Sequence, residues 1–145
     1  MSTDATDDEV AALLRSADQR YTSGRKRIVA ALRDGDGPMT IPQILDADRS
    51  LAQSSVYRNL VVLEEVGAVT RIVTRDDFAR YELAEDLTEH HHHLICTSCG
   101  QVSDFALTPA VEADLDKALR SVARRTDFSV EGHRLDLVGV CADCR

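Results

Sequence analysis

The stretch Glu89-His90-His91-His92-His93-Leu94-Ile95-Cys96-Thr97-Ser98-Cys99-Gly100 is richer in transition-metal ligands than any other part of the sequence. Four consecutive imidazoles lead into a C-x2-C pair, and a second such pair, Cys141 and Cys144, follows later. Imidazole and thiolate are preferred ligands of zinc and related ions. The stretch therefore predicts that metal binding organises the second half of the chain.

The two cysteine pairs predict one structural zinc site. Each C-x2-C places two thiolates on one turn, so that Cys96, Cys99, Cys141 and Cys144 can form a tetrahedron around Zn²⁺. The alternative is two disulfides or free thiols. Disulfides are disfavoured in a cytoplasmic protein, where thiols stay reduced. We expect such a protein, because the polar, acidic N-terminus is no signal peptide and no apolar run approaches the roughly 20 residues of a membrane span.

The four histidines predict two sites rather than one. Successive side chains of a strand point to opposite faces, so His91 and His93 share one face while His90 and His92 share the other. Each pair needs further ligands, and carboxylate or imidazole would suit. The alternative interpretation is a solvated polar stretch without a metal.

The charge distribution separates two halves of the chain. The net charge of −8 argues by itself against nucleic-acid binding. The range from Arg15 to Arg80, however, contains 11 Lys and Arg and 9 Asp and Glu. The range from Ala84 onward contains 6 Lys and Arg and 11 Asp and Glu. The basic residues thus lie mainly in the first half, and the acidic ones lie where a metal could neutralise them.

Residues 10–83 have the pattern of a winged helix-turn-helix domain. Helices are predicted over 10–19, 25–33, 41–47 and 54–66, the last of them ended by Gly67. The segments 68–74 and 79–83 flank a turn and are rich in strand-forming residues, which indicates a hairpin. Helices followed by a hairpin in this order are typical of a winged helix. Residues 1–9 are expected to form a disordered acidic arm.

The fourth predicted helix is the recognition helix, because the second helix of a helix-turn-helix enters the DNA major groove. Its groove-side residues are predicted to be Ser54, Ser55, Tyr57 and Arg58. Tyr57 suits a thymine methyl group, and Arg58 suits a phosphate or guanine. Further DNA contacts are expected from Arg20, Arg71, Arg75 and Arg80. The alternatives are a solvated charge for each arginine and packing within the domain for Tyr57.

Residues 84–89 form a polar, acidic connector that we interpret as a hinge. In residues 90–145, strands are predicted over 90–96, 102–105, 128–130 and 133–140. A helix is predicted to begin at Thr108-Pro109. Its apolar face comprises Val111, Leu115, Ala118, Leu119 and Val122. The predicted fold class is α+β, with an N-terminal winged helix-turn-helix domain and a C-terminal α+β domain.

Six motifs are distributed along residues 10–145. They are Arg20-Tyr21-Thr22, Ser55-Val56-Tyr57-Arg58-Asn59-Leu60, Glu64-Glu65-Val66-Gly67-Ala68-Val69, Tyr81-Glu82-Leu83, the stretch from His90 to Gly100, and Gly139-Val140-Cys141-Ala142-Asp143-Cys144. Together they resemble the ferric uptake regulator family of bacterial metal-dependent repressors. The resemblance implies a homodimer in which the C-terminal domain mediates dimerisation.

The resemblance also implies three metal sites. It assigns the four cysteines to a structural zinc site. It assigns to a sensing site between the domains the residues Glu82, His91, His93 and Asp104. It assigns to an additional site the residues His90, His92, Glu112 and His133. The chain departs from the family at two places. Gly37-Pro38 stands where many iron- and peroxide-sensing members have a histidine, and the connector is about two residues longer, which leaves Glu85 and Asp86 as alternatives to Glu82.

The individual ligands have simpler alternatives. Asp104 could be a turn residue, Glu112 a carboxylate favoured by the helix dipole, and His133 a buried, hydrogen-bonded histidine. Zinc-sensing members of the family typically place a cysteine near the histidines, and none is present here. The remaining nitrogen and oxygen donors suit Fe²⁺, Mn²⁺, Ni²⁺ or Zn²⁺ and do not choose among them.

We therefore predict a metal-responsive repressor, not an enzyme, that binds palindromic double-stranded operator DNA as a homodimer and controls metal-uptake or related genes. Zn²⁺ is expected at the cysteines and Fe²⁺, Zn²⁺ or Mn²⁺ at the sensing site, with iron slightly favoured. Zinc sensing or peroxide sensing within the same family is the alternative. A zinc hydrolase is remote because no H-E-x-x-H motif is present. A metal-storage protein would not need Tyr57 and Arg58.

Overall fold

The computed structural model describes residues 2–145. Four helices and a hairpin form the N-terminal half: α1 (Thr3–Ser16), α2 (Ser23–Asp34), α3 (Ile41–Ala47), α4 (Gln53–Glu65), β1 (Val69–Val73) and β2 (Ala79–Leu83). The antiparallel β1–β2 hairpin is the wing. The predicted winged helix-turn-helix architecture is confirmed.

Local side-chain chemistry determines where these helices begin and end. The side chains of Ser2, Thr22 and Thr40 each accept a hydrogen bond from a backbone N–H three residues further on, which satisfies a free donor at the helix start. Thr40 and Gln43 form a complete capping box. Gly67 follows α4 at φ +78°, a conformation that glycine adopts without steric cost.

An apolar core joins the helices to the wing and determines which side of α4 is exposed. Val56, Leu60 and Leu63 of α4 are fully buried in this core. Because they occupy one side of the helix, the opposite side is left at the surface, where Tyr57 is 59% exposed. The core therefore orients the recognition helix.

The C-terminal half consists of a three-stranded sheet and one long helix. Its elements are β3 (His92–Cys96), β4 (Val102–Phe105), α5 (Pro109–Thr126) and β5 (Asp136–Gly139). The central strand β3 pairs antiparallel with β4 and parallel with β5. A 3-10 turn, Glu85–Leu87, connects the halves. The α+β class is confirmed, and within residues 2–145 no helix is long and apolar enough to cross a bilayer.

The predicted disordered arm over residues 1–9 is wrong for the part that the structure describes, and Met1 lies outside that part. Helix α1 already begins at Thr3. Ser2 caps its first turn, and the buried Val10 anchors the same helix in the core. The Tyr21 hydroxyl also donates a 2.5 Å hydrogen bond to Asp7. Acidic composition misled the prediction, since acidic residues near a helix N-terminus stabilise the helix.

The predicted strands of the C-terminal half also need correction. Strand β3 begins at His92 rather than His90, residues 128–130 form no strand, and β5 begins at Asp136 rather than His133. The apolar face of α5 is largely exposed, with Val111 at 50% and Val122 at 48%. The observed bounds follow from strand pairing, because the ladders of β3 with β4 and β5 begin only at His92 and Asp136, which residue types alone do not show.

Candidate metal centre

The cysteine cluster, composed of Cys96, Cys99, Cys141 and Cys144, brings four free thiols together at the end of β3. Its sulfur atoms lie within 4.8 Å of one another, and Cys99 Sγ is 3.9 Å from Cys141 Sγ. That separation is far beyond a disulfide bond. It matches the ~3.8 Å edge of a tetrahedron with Zn–S bonds of about 2.3 Å.

Backbone hydrogen bonds prepare one of these thiols for metal binding. The backbone N–H of Cys99 and that of Cys141 point at Cys96 Sγ and lower the pKa of this thiol to about 6. A thiolate is the form that binds metal. The donor set and its spacing therefore fit Zn²⁺.

The interdomain cluster, composed of Glu82, His91, His93 and Asp104, joins the wing to the C-terminal half. Glu82 Oε2 on β2 lies 3.1 Å from His91 Nε2 and 3.0 Å from His93 Nε2. Asp104 pairs with His93 in the β3–β4 register, which places its Oδ1 3.8 Å from His93 Nε2. Ligands about 2.1 Å from one ion are about 3.0 to 3.4 Å apart, so these atoms need only small shifts to share a metal.

The interdomain cluster is electrostatically coupled. A hydrogen bond with Glu82 raises the pKa of His93 above its usual value. Burial raises the pKa of Glu82, but hydrogen bonds from His93 and His91 outweigh burial and leave it lowered. The carboxylate and the imidazoles thus stabilise each other's charged forms. A divalent cation would take the place of the protons on these imidazoles.

The helix-side cluster is composed of His90, His92, Glu112 and His133 and lies between β3 and α5. The two Glu112 oxygens lie 3.0 Å from His90 Nε2 and 3.0 Å from His92 Nε2. His133 Nε2 is 2.9 Å from Glu112 but poorly aligned, so this buried nitrogen has no hydrogen-bond partner among residues 2–145. A buried imidazole nitrogen directed at other ligand atoms fits a metal site.

The structure distinguishes the carboxylates that the sequence left as alternatives. Glu82 reaches the interdomain cluster, whereas Glu85 contacts His90 Nδ1, on the side of that ring away from Glu112. Asp86 belongs to none of the three clusters. Sequence reasoning missed Asp136, whose Oδ1 lies 3.4 Å from His93 Nδ1. Only the β3–β5 register brings these two residues together.

Most of the predicted DNA-contacting residues are exposed. Ser54, Tyr57 and Arg58 are exposed on α4, and Arg20 is exposed before α2. Ser55 is half-buried, and its Oγ accepts a hydrogen bond from Asn59 Nδ2. The hydrogen bond between Asn59 and Ser55 stiffens the first turns of α4.

The wing arginines divide into two groups. Arg71 is exposed and lies 3.6 Å from Glu64 on α4, and Arg75 is exposed in the turn. Arg80 was predicted to contact phosphate, which is wrong, because its side chain is only 7% exposed and is paired with Asp76. The alternating pattern of β2 turns Arg80 inward, as it does Glu82.

Comparisons with known proteins agree with this arrangement. A profile of the ferric uptake regulator family matches residues 16–138. The peroxide-responsive repressor PerR of Staphylococcus epidermidis is 30% identical over 142 residues, covering 95% of this chain and 89% of the relative. The structure of a zinc-bound manganese uptake regulator is 31% identical, with a TM-score of 0.64 and coverage of 94% of this chain and 98% of that one.

The fold is also that of the ferric uptake regulator Fur of Helicobacter pylori, a protein with three functional metal-binding sites. The TM-score is 0.77 at 22% identity, over 99% of this chain and 94% of that chain. A winged helix next to clustered histidines and cysteines defines a metal-responsive transcriptional regulator. The profile match over most of the chain makes it a member of the ferric uptake regulator family.

Proposed function

We propose that this protein is a homodimeric repressor whose binding to operator DNA is switched on by a divalent metal in the interdomain cluster. One observation carries the proposal: Glu82 of the wing lies within 3.1 Å of two histidines of the C-terminal half. A metal shared by these residues ties the two halves together. It thereby sets the distance between the two recognition helices of a dimer.

The metal acts through differential affinity. Only the arrangement in which Glu82 faces His91 and His93 offers the complete set of ligands, so the ion binds that arrangement more tightly and increases its population. If the same arrangement fits the operator, metal and DNA strengthen each other's binding by the same factor. Coupling of this kind is typically 5- to 150-fold.

The proposal of a homodimer rests on apolar residues left exposed in the C-terminal half. They are Val111 and Val122 of α5, Phe128, and Leu137, Val138 and Val140 in and after β5. Every residue of the edge strand β5 is exposed. An apolar surface beside an open strand edge is suited to a second copy of the chain.

We assign residues 3–83 to DNA binding, 84–89 to the hinge and 90–145 to dimerisation.

We assign DNA contacts to Arg20, Ser54, Ser55, Tyr57, Arg58 and Arg71. The exposed side of α4 supplies the base-reading residues, and the arginines supply phosphate contacts. A palindromic operator follows from the two-fold symmetry of a homodimer.

We assign Zn²⁺ to the cysteine cluster, where four thiolates leave no open position and the ion is structural. The interdomain and helix-side clusters contain only nitrogen and oxygen donors, which suit Fe²⁺, Mn²⁺ or Zn²⁺. Iron remains slightly favoured for sensing because the interdomain cluster lacks the cysteine of typical zinc sensors. The regulated genes would then serve metal uptake.

The test is fluorescence anisotropy with a duplex selected from a random DNA pool in the presence of Mn²⁺. Binding is measured anaerobically with Fe²⁺, Mn²⁺ or Zn²⁺ and without sensing metal, with structural zinc verified in every sample. We expect roughly 10- to 100-fold tighter binding with the cognate metal. Glu82→Gln should remove this response, whereas Glu85→Gln should keep it. Equal affinity of the unaltered protein with and without metal would falsify the mechanism.

Peroxide sensing is the second candidate, and the 30% identity to a peroxide-responsive repressor favours it. In that case the iron-loaded protein loses DNA binding after brief exposure to hydrogen peroxide, while the manganese-loaded protein keeps it. Mass spectrometry should then find added oxygen on His91 or His93. Unmodified histidines after loss of binding would exclude this candidate.

A further inference from the structure

The wing contacts the C-terminal half at a second place besides the interdomain cluster. This second contact does not involve Glu82, the predicted metal ligand on β2. Arg80 and Glu82 are two residues apart on this strand, so their side chains point to the same face of the wing. Glu82 reaches the histidines. Arg80 lies beside Gly100, at the end of the turn that carries Cys96 and Cys99.

The approach at Gly100 is so close that a side chain does not fit. The Asp76 carboxylate occupies the space of a Cβ at residue 100, which would lie only 2.6 Å from Asp76 Cγ and 3.0 Å from Arg80 Nη2. Gly100 also has φ +77°. Glycine is thus required here both by the backbone conformation and by the wing that packs on it.

The wing side of this contact is preorganised. Arg80 Nη2 donates to Asp76 Oδ2 at 2.8 Å and Nη1 donates to Asp76 Oδ1 at 3.0 Å, a bidentate pair. Nη1 also donates to the Thr74 hydroxyl at 2.6 Å. The Arg80 hydrogen bonds hold the pKa of Asp76 well below its usual range. Bidentate pairing fixes the geometry of both side chains.

We propose that Asp76 and Arg80 are positioning residues that dock the wing on the Gly100 turn independently of the sensing metal. The contact fixes one end of the wing relative to the C-terminal half. The metal in the interdomain cluster then has to order only the other end. Because Gly100 directly follows Cys99, the position of the wing also depends on an intact cysteine cluster.

The test is hydrogen exchange of the full-length protein that retains structural zinc but lacks sensing metal and DNA. Arg80→Ala should raise exchange in residues 97–103, although the substitution lies in the other half of the molecule. The matched control is Arg71→Ala, which removes an exposed arginine from the neighbouring wing strand. It should leave exchange in residues 97–103 unchanged. Unchanged exchange there in Arg80→Ala would overturn the proposal.

Gly100→Ala tests the same contact from the opposite side and should raise exchange in the wing turn, residues 74–80. Gly67→Ala controls for backbone strain, because Gly67 has φ +78° but no atom within 4 Å of the added Cβ. It should leave residues 74–80 unaffected.

A double-mutant cycle separates the contact from damage to the cysteine turn. Gly100→Ala is made both in the unaltered protein and in an Asp76→Ala background, and its effect on exchange in residues 74–80 is compared. The increase in exchange should be about threefold smaller in the Asp76→Ala background. Equal factors in both backgrounds would overturn the proposal. If Gly100→Ala loses its zinc or fails to fold, exchange in residues 97–103 of Arg80→Ala and Asp76→Ala still tests the proposal. Both of these variants leave the cysteine turn itself unaltered.

Discussion

His93 Nδ1 lies 3.4 Å from Asp136 Oδ1, while Nε2 of the same ring faces Glu82 at 3.0 Å. The two residues are register partners on the parallel strands β3 and β5. An N–H directed at a carboxylate on one side of an imidazole makes the other nitrogen the metal ligand and increases its basicity. We therefore expect Asp136 to orient His93 from the strand that we assign to dimerisation.

Asp136→Ala should weaken metal binding at the interdomain cluster by about tenfold or more, the usual effect of removing such a partner. Competition with a fluorescent chelator measures the affinity directly. Asp114→Ala, an exposed carboxylate on α5, is the control for loss of one negative charge. Equal affinities of the two variants would show that Asp136 does not act on His93.

His91→Ala and His90→Ala should have different effects although the residues are adjacent. His91 belongs to the interdomain cluster and His90 to the helix-side cluster. We expect His91→Ala to remove the metal dependence of DNA binding, a loss of about 1 to 3 kcal/mol of coupling. His90→Ala should retain it. Parallel DNA titrations with and without metal measure both, and a matching loss in both variants would contradict the assignment.

Cys144→Ser should abolish zinc retention and lower the midpoint of thermal unfolding by about 10 °C or more, since structural zinc contributes folding free energy directly. Metal analysis and calorimetry are the measurements. Asp143→Ala changes an exposed residue of the same cysteine turn and should preserve both properties. Full zinc retention in Cys144→Ser would mean that three cysteines suffice.

Arg58→Ala should weaken DNA binding and, if the contact is to phosphate, reduce the slope of log affinity against log salt by about 1. Metal affinity in the absence of DNA should not change, because Arg58 is exposed on α4 and belongs to none of the metal clusters. Arg120→Ala removes an arginine from α5 and should leave the slope unaltered. An unchanged slope in Arg58→Ala would leave a base contact as the remaining role.

Val138→Asp should convert the dimer into monomers, because it places a charge on β5 where the side chain is now 62% exposed. Sedimentation velocity measures the mass. Val73→Asp is the matched control, since Val73 is 66% exposed on the wing. A dimeric Val138→Asp protein would move the interface away from this strand.

The alternation of side chains along a strand was enough to predict which histidines lie in the same cluster. Strand β3 begins only at His92, yet His91 and His93 lie in one cluster and His90 and His92 in another. The extended backbone continues far enough before the strand for the alternation to hold. The winged helix was likewise predictable, because its caps and apolar periodicity are local signals.

The sequence by itself determined the architecture and the chemical types of the ligands, because helix caps, strand alternation and C-x2-C spacing act over a few residues. Only the tertiary structure decided that Glu82 rather than Glu85 reaches His91, that Asp136 lies beside His93, and that Arg80 is buried against Gly100. Glu82 and Arg80 differ little from other charged residues in sequence. The partners of Glu82, Arg80 and Asp136 lie 9, 20 and 43 positions away, separations for which no local pattern exists.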